Sequence, residues 1–421
     1  MTENTKRKTR DEAPVKTIIA ALDTGDYDAE RSLDELGELA ATANAAVVAR
    51  IVQKRPAADP ATVLGEGKIE EMRLLAESLD ARLIVFDTEL TASEIRNIEE
   101  IVNIRVIDRT MLILDIFAAR AVTNEGKLQV ELAQLRYRLP RLAGIGRSLS
   151  RLGGGIGTRG PGEKQLETDR RHIRGRIGKL EEELSELTAR RERARKRRKK
   201  DGTLVCAIVG YTNAGKSTLL NRLTGADVYA ADRLFATLDP TSRAVLLPDG
   251  RTLVLVDTVG FIRRLPHHLV EAFKSTLEEA VSADILLHVS DLSDPEAEEK
   301  TRTAETLLAE LQRESGVEPI PTVHALNKAD LVGYTIPEDD TTIKISAKTG
   351  EGLDRLLALL AKNLPESAKR MTLRVPYGDA GFTARLRENG KVFSEEYAED
   401  GIRIDALVEP RLIKKAEEYQ V

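Results

Sequence analysis

One segment constrains this chain more than any other. The apolar run Leu204–Val209 leads straight into Gly210-Tyr211-Thr212-Asn213-Ala214-Gly215-Lys216-Ser217, and a helical pattern, Lys216–Leu223, follows. The spacing G-x-x-x-x-G-K-S between a strand and a helix is that of a phosphate-binding loop. Its glycines let the backbone curl until successive amide N–H groups point at phosphate oxygens. Lys216 supplies a cation for the β- and γ-phosphates, and Ser217 a hydroxyl for Mg²⁺. By itself the motif admits ATP or GTP.

Two later segments select the base. Asn327-Lys328-Ala329-Asp330 follows a strand pattern ending at Leu326. The Asp330 carboxylate can accept from guanine N1–H and the exocyclic amine together, a donor pair that adenine lacks. Asn327 is expected to tie this loop to the phosphate loop, and the Lys328 stem to cover the base face. Ser346-Ala347-Lys348 follows the strand pattern Thr342–Ile345, where a backbone amide can meet guanine O6. Asp257-Thr258-Val259-Gly260 ends another strand pattern. Asp257 is expected to hold Mg²⁺ through water, and the Gly260 amide to sense the γ-phosphate. Between them, Phe235-Ala236-Thr237-Leu238-Asp239 reads as a loop. Thr237 is the choice for the second Mg²⁺ hydroxyl, with Thr241 as its rival.

These motifs lie in one of several domains. A charged tail, residues 1–14, reads as disordered. Residues 15–120 alternate short apolar runs (Val15–Leu22, Ala45–Val52, Arg82–Phe86, Arg105–Ile107) with amphipathic helical spacing, the pattern of a small parallel α/β domain. In residues 121–200, Leu128, Leu132, Leu135, Leu139 and Leu142 form one heptad stripe, and Ile173, Ile177, Leu180, Leu184 and Leu187 another. An antiparallel helical hairpin is expected. Its separating segment, 143–162, is glycine-rich and carries Arg147, Arg151 and Arg159, with no acidic residue between Glu131 and Glu163. Such a basic tip suits RNA phosphate, although a solvated linker has the same composition. Residues 201–366 form the nucleotide domain, a mostly parallel sheet. Residues 367–421 are expected to form a small α+β domain of strand-like runs and a final helix.

Other features narrow the class. Cys206 is the only cysteine, so no intramolecular disulfide can form. The five histidines show no ligand spacing, which argues against zinc. No long apolar run or signal peptide is present, so a cytoplasmic protein is expected, at most peripheral to a membrane. Leu64-Gly65-Glu66-Gly67-Lys68 reads as a helix-entry turn rather than a second phosphate site.

GYTNAGKSTLLNRLTG, FATLDPTSR, DTVGFIRRLP and GGGIGTRGPGEKQLETDRR together resemble the HflX family of translation-associated GTPases. The resemblance covers nearly the whole chain. It implies GTP hydrolysis with Mg²⁺, a cytoplasmic location, and binding to the large ribosomal subunit and its rRNA; a monomer is expected. It also implies a role in splitting or rescuing stalled ribosomes, and it favours RNA contact at Arg147, Arg151 and Arg159. Many regulatory GTPases place a water-orienting Gln after D-x-x-G, but here Phe261 stands there. Phe cannot orient water, so another side chain, a backbone group, K⁺ or the partner must do so. The rivals are a large-subunit assembly GTPase and a non-ribosomal switch recruiting a protein or membrane partner.

Overall fold

The computed structural model describes residues 13–150, 161–200, 203–225, 234–235, 241–264, 269, 274–333, 337–365 and 369–421. It divides into two compact units, Met1–Arg120 with Val130–Leu180, and Ala121–Gln129 with Glu181–Val421. The architecture is α/β, as the alternating pattern requires. Among the described residues no helix is long and apolar enough to cross a membrane.

The first unit holds a parallel sheet in the order β2-β1-β3-β4. Its strands are β1 (Val15–Asp23), β2 (Ala45–Lys54), β3 (Leu83–Phe86) and β4 (Arg105–Asp108). Helices α1 (Ala29–Thr42), α2 (Glu66–Leu79) and α3 (Ala92–Val102) connect them. Their entry points follow from side chains: the Asp28 carboxylate accepts from Arg31 N, and Thr91 with Glu94 closes a capping box. At Leu64–Lys68 the chain makes the expected helix entry, with Gly65 N donating to Gln53 Oε1 at 2.7 Å.

An additional helix, α4 (Arg109–Arg120), follows β4 directly. Its near-continuous apolar run lacks a clear helical period, because the helix is buried through most of its length. At the carboxyl ends of β3 and β4 lies a buried ionic network. Arg109 is 2% exposed and pairs with Asp87 at 2.8 Å and with Glu35. Ser32 Oγ donates to the other Asp87 oxygen at 2.6 Å.

The two heptad stripes lie on α5 (Asn124–Ser150) and α6 (Pro161–Lys200). Arg176 of α6 pairs with Glu131 of α5 at 2.7 Å, and Arg191 with Glu125 at 2.8 Å, so later residues of α6 meet earlier ones of α5 and the pair is antiparallel. On α6 the stripe is the least exposed line of the helix, with Leu180 fully buried. On α5, Val130, Ala133 and Tyr137 are buried beside the stripe, because Tyr137 OH donates to buried Asp108. The expected connecting segment 143–162 is shorter in the structure. Helix α5 absorbs 143–150, including Gly144 and Gly146, and α6 opens at Pro161. An established helix propagates cheaply through an isolated glycine, and proline is pre-shaped for the first helical position.

The nucleotide domain is a sheet in the order β10-β9-β8-β5-β7-β6. Its strands are β5 (Leu204–Val209), β6 (Thr241–Leu246), β7 (Thr252–Asp257), β8 (Ile285–Asp291), β9 (Thr322–Asn327) and β10 (Thr342–Lys344). Its helices are α7 (Lys216–Thr224), α8 (Lys274–Ala280), α9 (Ala297–Glu314) and α10 (Leu353–Asn363). All pairings are parallel except β6 with β7. That hairpin was not read from the sequence, although Pro248-Asp249-Gly250 between two apolar runs is its turn signal. Gly250 has φ +83 and Leu247 N donates to Arg251 O at 2.9 Å. The C-terminal domain is a three-stranded antiparallel sheet of β11 (Lys369–Val375), β13 (Gly401–Val408) and β12 (Lys391–Ala398), with α11 (Ala380–Asn389) and α12 (Pro410–Ala416).

Arg109→Met removes the cation that pairs with buried Asp87 and half-buried Glu35. Loss of one partner of a buried pair costs about 3–5 kcal/mol. Urea unfolding should show the unfolding free energy lowered by about that amount and the midpoint moved to lower denaturant, and an unshifted transition would show the network to be dispensable.

Candidate functional site

The strand order sets the carboxyl ends of β9, β8, β5 and β7 side by side, and the loops leaving those ends form the site. Gly210 follows β5 at φ +144, and a Cβ there would stand 2.1 Å from Val289 O of β8. Only glycine lets the loop turn so close to its neighbour. Asn213 takes φ +61, a left-handed conformation that asparagine tolerates. Gly215, at φ +92, caps α7, and a Cβ there would meet Asn327 Nδ2 at 2.3 Å. The loop therefore aims the amino end of α7, with its unpaired N–H groups, at the space a phosphate would fill.

Lys216 is 7% exposed, and its Nζ donates to Tyr211 O at 2.6 Å. Burial pushes its ammonium down to about 8, against the pull of Asp257. Asp257 is fully buried at the end of β7, in register with Ile208 of β5. Ser217 Oγ donates to Asp257 Oδ2 at 2.7 Å. This pair of hard oxygen donors beside a phosphate loop fits Mg²⁺. Thr258 Oγ1 donates to Ile208 O at 2.7 Å, and buried Val259 leads to Gly260. A Cβ on Gly260 would lie 2.7 Å from Thr212 Cγ2 and 2.9 Å from Lys216 Nζ.

Phe261 joins this segment to the phosphate loop through its backbone. Its N–H donates to Gly210 O at 3.1 Å, and its carbonyl accepts from Thr212 N at 2.9 Å. Its side chain is 4% exposed. Two residues on, Arg263 pairs with Glu296 at 2.6 Å, while Lys300 pairs with Asp294 at 2.5 Å. Sequence reading missed this pairing, whose partners lie 33 residues apart and converge only through the sheet.

At the base end, Asn327 is 2% exposed and uses both ends of its carboxamide. Nδ2 donates to Ala214 O at 2.8 Å, and Oδ1 accepts from Ala347 N at 2.9 Å. Ala329 N donates to Ile345 O at 3.1 Å. The Asp330 carboxylate is solvent-facing and accepts from Ser346 Oγ at 2.6 Å, a bond that holds it below the usual carboxylate range. Lys328, at φ +63, has its ammonium 2.6 Å from Asp291 at the end of β8. That partner, too, was not named from the sequence.

The structure thus brings residues 210–217, 257–261, 327–330 and 346–348 to one edge of one sheet. Phe235 is 2% exposed at φ +55. Thr241 opens β6, in register opposite Asp257. Ala236, Thr237, Leu238 and Asp239 lie outside the described residues, as do Arg151, Arg159 and the Arg147 side chain.

Residues 30–118, 120–198 and 205–328 match, in turn, the families described as GTP-binding GTPase N-terminal, GTP-binding GTPase Middle Region and 50S ribosome-binding GTPase. The chain is similar to the GTPase HflX of Caldanaerobacter subterraneus subsp. tengcongensis, with 51% identity covering 93% of this chain and 91% of that protein. Similarity to the GTPase HflX of Escherichia coli K12 is 43% identity, covering 90% and 89%. A solved structure of a GTP-binding protein from the archaeon Sulfolobus solfataricus, in complex with GDP, aligns over 83% of this chain and 98% of that one. Its identity is 25% and its TM-score 0.45.

Two outcomes follow from this geometry. A phosphate beside Lys216 favours the ammonium, so nucleotide binding takes up a proton where the free site has lost one. The free-site value is about 8, so affinity for GDP is full below it and falls above it, by up to about tenfold per pH unit. Calorimetry from about pH 7 to about pH 9.5 should show the fall, and a flat profile would contradict it. Asp330→Asn replaces a double acceptor with an amide that donates. Competition binding should show guanine preference lost and xanthine nucleotides, which carry a carbonyl at that edge, gaining. Retained guanine preference would remove Asp330 from base reading.

Proposed function

The chain belongs to the HflX family of GTPases, and we propose that it binds the large ribosomal subunit with GTP and splits or rescues stalled ribosomes. The observation that carries this reading is the segment Gly260–Phe261. It is bound by its backbone to the phosphate loop, and Gly260 stands where a Cβ would be 2.9 Å from Lys216 Nζ. A γ-phosphate arriving at Lys216 must be accommodated by this segment, so its position reports the nucleotide. The match of residues 205–328 to 50S ribosome-binding GTPases supports the choice of partner, and so does the basic, glycine-rich tip of the hairpin.

Each residue then has a task. Backbone amides of 210–217 hold the phosphates, and Lys216 neutralises them. Ser217 and Thr237, with Asp257 acting through water, would hold Mg²⁺, which supplies charge for the β- and γ-phosphate oxygens. Asp330 reads guanine, and Asn327 keeps the two loops in register. Arg147, Arg151 and Arg159 meet rRNA, where phosphate contact fixes position. The protein works in the cytoplasm.

Phe261 bears on the rate. Its ring is buried and offers no hydrogen bond to water, so the free protein turns over slowly, at about 10⁻⁴ s⁻¹. Large subunits should raise that rate by orders of magnitude in a phosphate-release assay. Equal turnover with and without them would end the proposal. Replacing Arg147, Arg151 and Arg159 with Ala should weaken subunit binding and flatten its salt dependence while leaving GTP affinity unchanged. Unaltered subunit binding would strip the tip of its role.

A further inference from the structure

We infer that Arg190, Arg193 and Arg197, an outward stripe near the end of α6, form a second RNA-phosphate contact apart from the hairpin tip. The inference rests on the ribosomal reading for its RNA partner. It rests on the structure for the surface itself.

The segment Arg190–Lys200 holds nine basic residues and one acidic residue, Glu192. A helix C-terminus carries about half a negative charge and so accounts for little of this excess. The structure divides the run by face. Arg191 pairs with Glu125 at 2.8 Å and Glu278 at 3.6 Å, and Arg195 donates to Glu278 O at 3.4 Å. Arg198 O accepts from Thr203 N at 3.0 Å, where the helix hands over to β5. This face belongs to the fold, and its guanidiniums are half-buried.

Arg190, Arg193 and Arg197 stand on another face. At about 100° per residue they fall within a stripe about 60° wide, about 10 Å long. All three are exposed. Arg193 donates to Ala189 O within its own helix at 3.2 Å. Among the described residues none of the three makes an ion pair with a carboxylate. Glu186, a turn earlier on the same face, ends the stripe. Like charges at these spacings disfavour an isolated helix, so the fold gains nothing from them. Planar guanidinium forks match phosphate oxygens in pairs. A membrane surface would demand a broad apolar face alongside the cations, and the small side chains of Ala189 and Ala194, which flank the stripe, do not make one. A polyanion without an apolar component fits best, and RNA is the one already implied.

The test uses the full chain and the triple variant R190Q/R193Q/R197Q, since Gln keeps helix propensity. Circular dichroism and GTP affinity should match the wild type. Binding to deproteinised large-subunit rRNA should be about tenfold weaker at low salt, with a salt slope shallower by about two units, near 0.7 per lost contact. Wild-type affinity and slope in the variant would overturn the stripe. A defect seen only on anionic lipid vesicles would overturn it as well. Wild-type protein that binds this RNA through the stripe yet ignores intact large subunits would support the stripe and sink the ribosomal reading.

Discussion

The buried carboxamide of Asn327 is the interaction on which the nucleotide site depends. One end holds Ala214 O in the phosphate loop, and the other holds Ala347 N in the loop after β10. These bonds set the distance between the loop proposed to grip phosphates and the loop proposed to read the base. The glycines are subordinate to this arrangement. Gly215 leaves room for Asn327 Nδ2, and Gly210 leaves room for Val289 O, so the phosphate loop can lie against the ends of both β8 and β9. The sheet order makes this possible, since β5, β8 and β9 are consecutive and parallel. A buried amide with both ends used is expensive to disturb, because each lost partner leaves an unsatisfied group.

The phosphate end is built from opposed costs. Burial lowers the proton affinity of Lys216, while Asp257 nearby raises it. A polyanion placed beside Lys216 would favour the ammonium. The same lysine stands next to Gly260, and Phe261 fastens that segment to Gly210 and Thr212. Residues 260–261 and the phosphate loop are therefore in direct contact, which is the physical basis for the proposed switch. Phe261 contributes backbone bonds and a buried ring, but no water-orienting group.

Much of this was legible beforehand, and for a physical reason. Parallel strands buried on both faces appear as continuous apolar runs, and the loops at their ends carry fixed chemistry, so the strand preceding each motif was visible within a residue or two. The motif letters named the loops that converge. The failures have causes too. Helix α4 is apolar on most sides and shows little period, and β6 is an edge strand whose residues are mostly exposed. Helix α11 is short, and only its pairing with the C-terminal sheet gives it a buried side. Pairs such as Lys328 with Asp291, Arg263 with Glu296 and Arg109 with Asp87 join residues distant in sequence. Nothing local marks them, since tertiary topology creates the contact.

Sedimentation of intact ribosomes with the full chain tests the central claim most directly. With a non-hydrolysable GTP analogue, ribosomes should separate into subunits and the protein should travel with the large one. With GDP they should stay intact. Intact ribosomes under both nucleotides, with protein bound only to immature large subunits or to none, would contradict a GTP-driven splitting or rescue role.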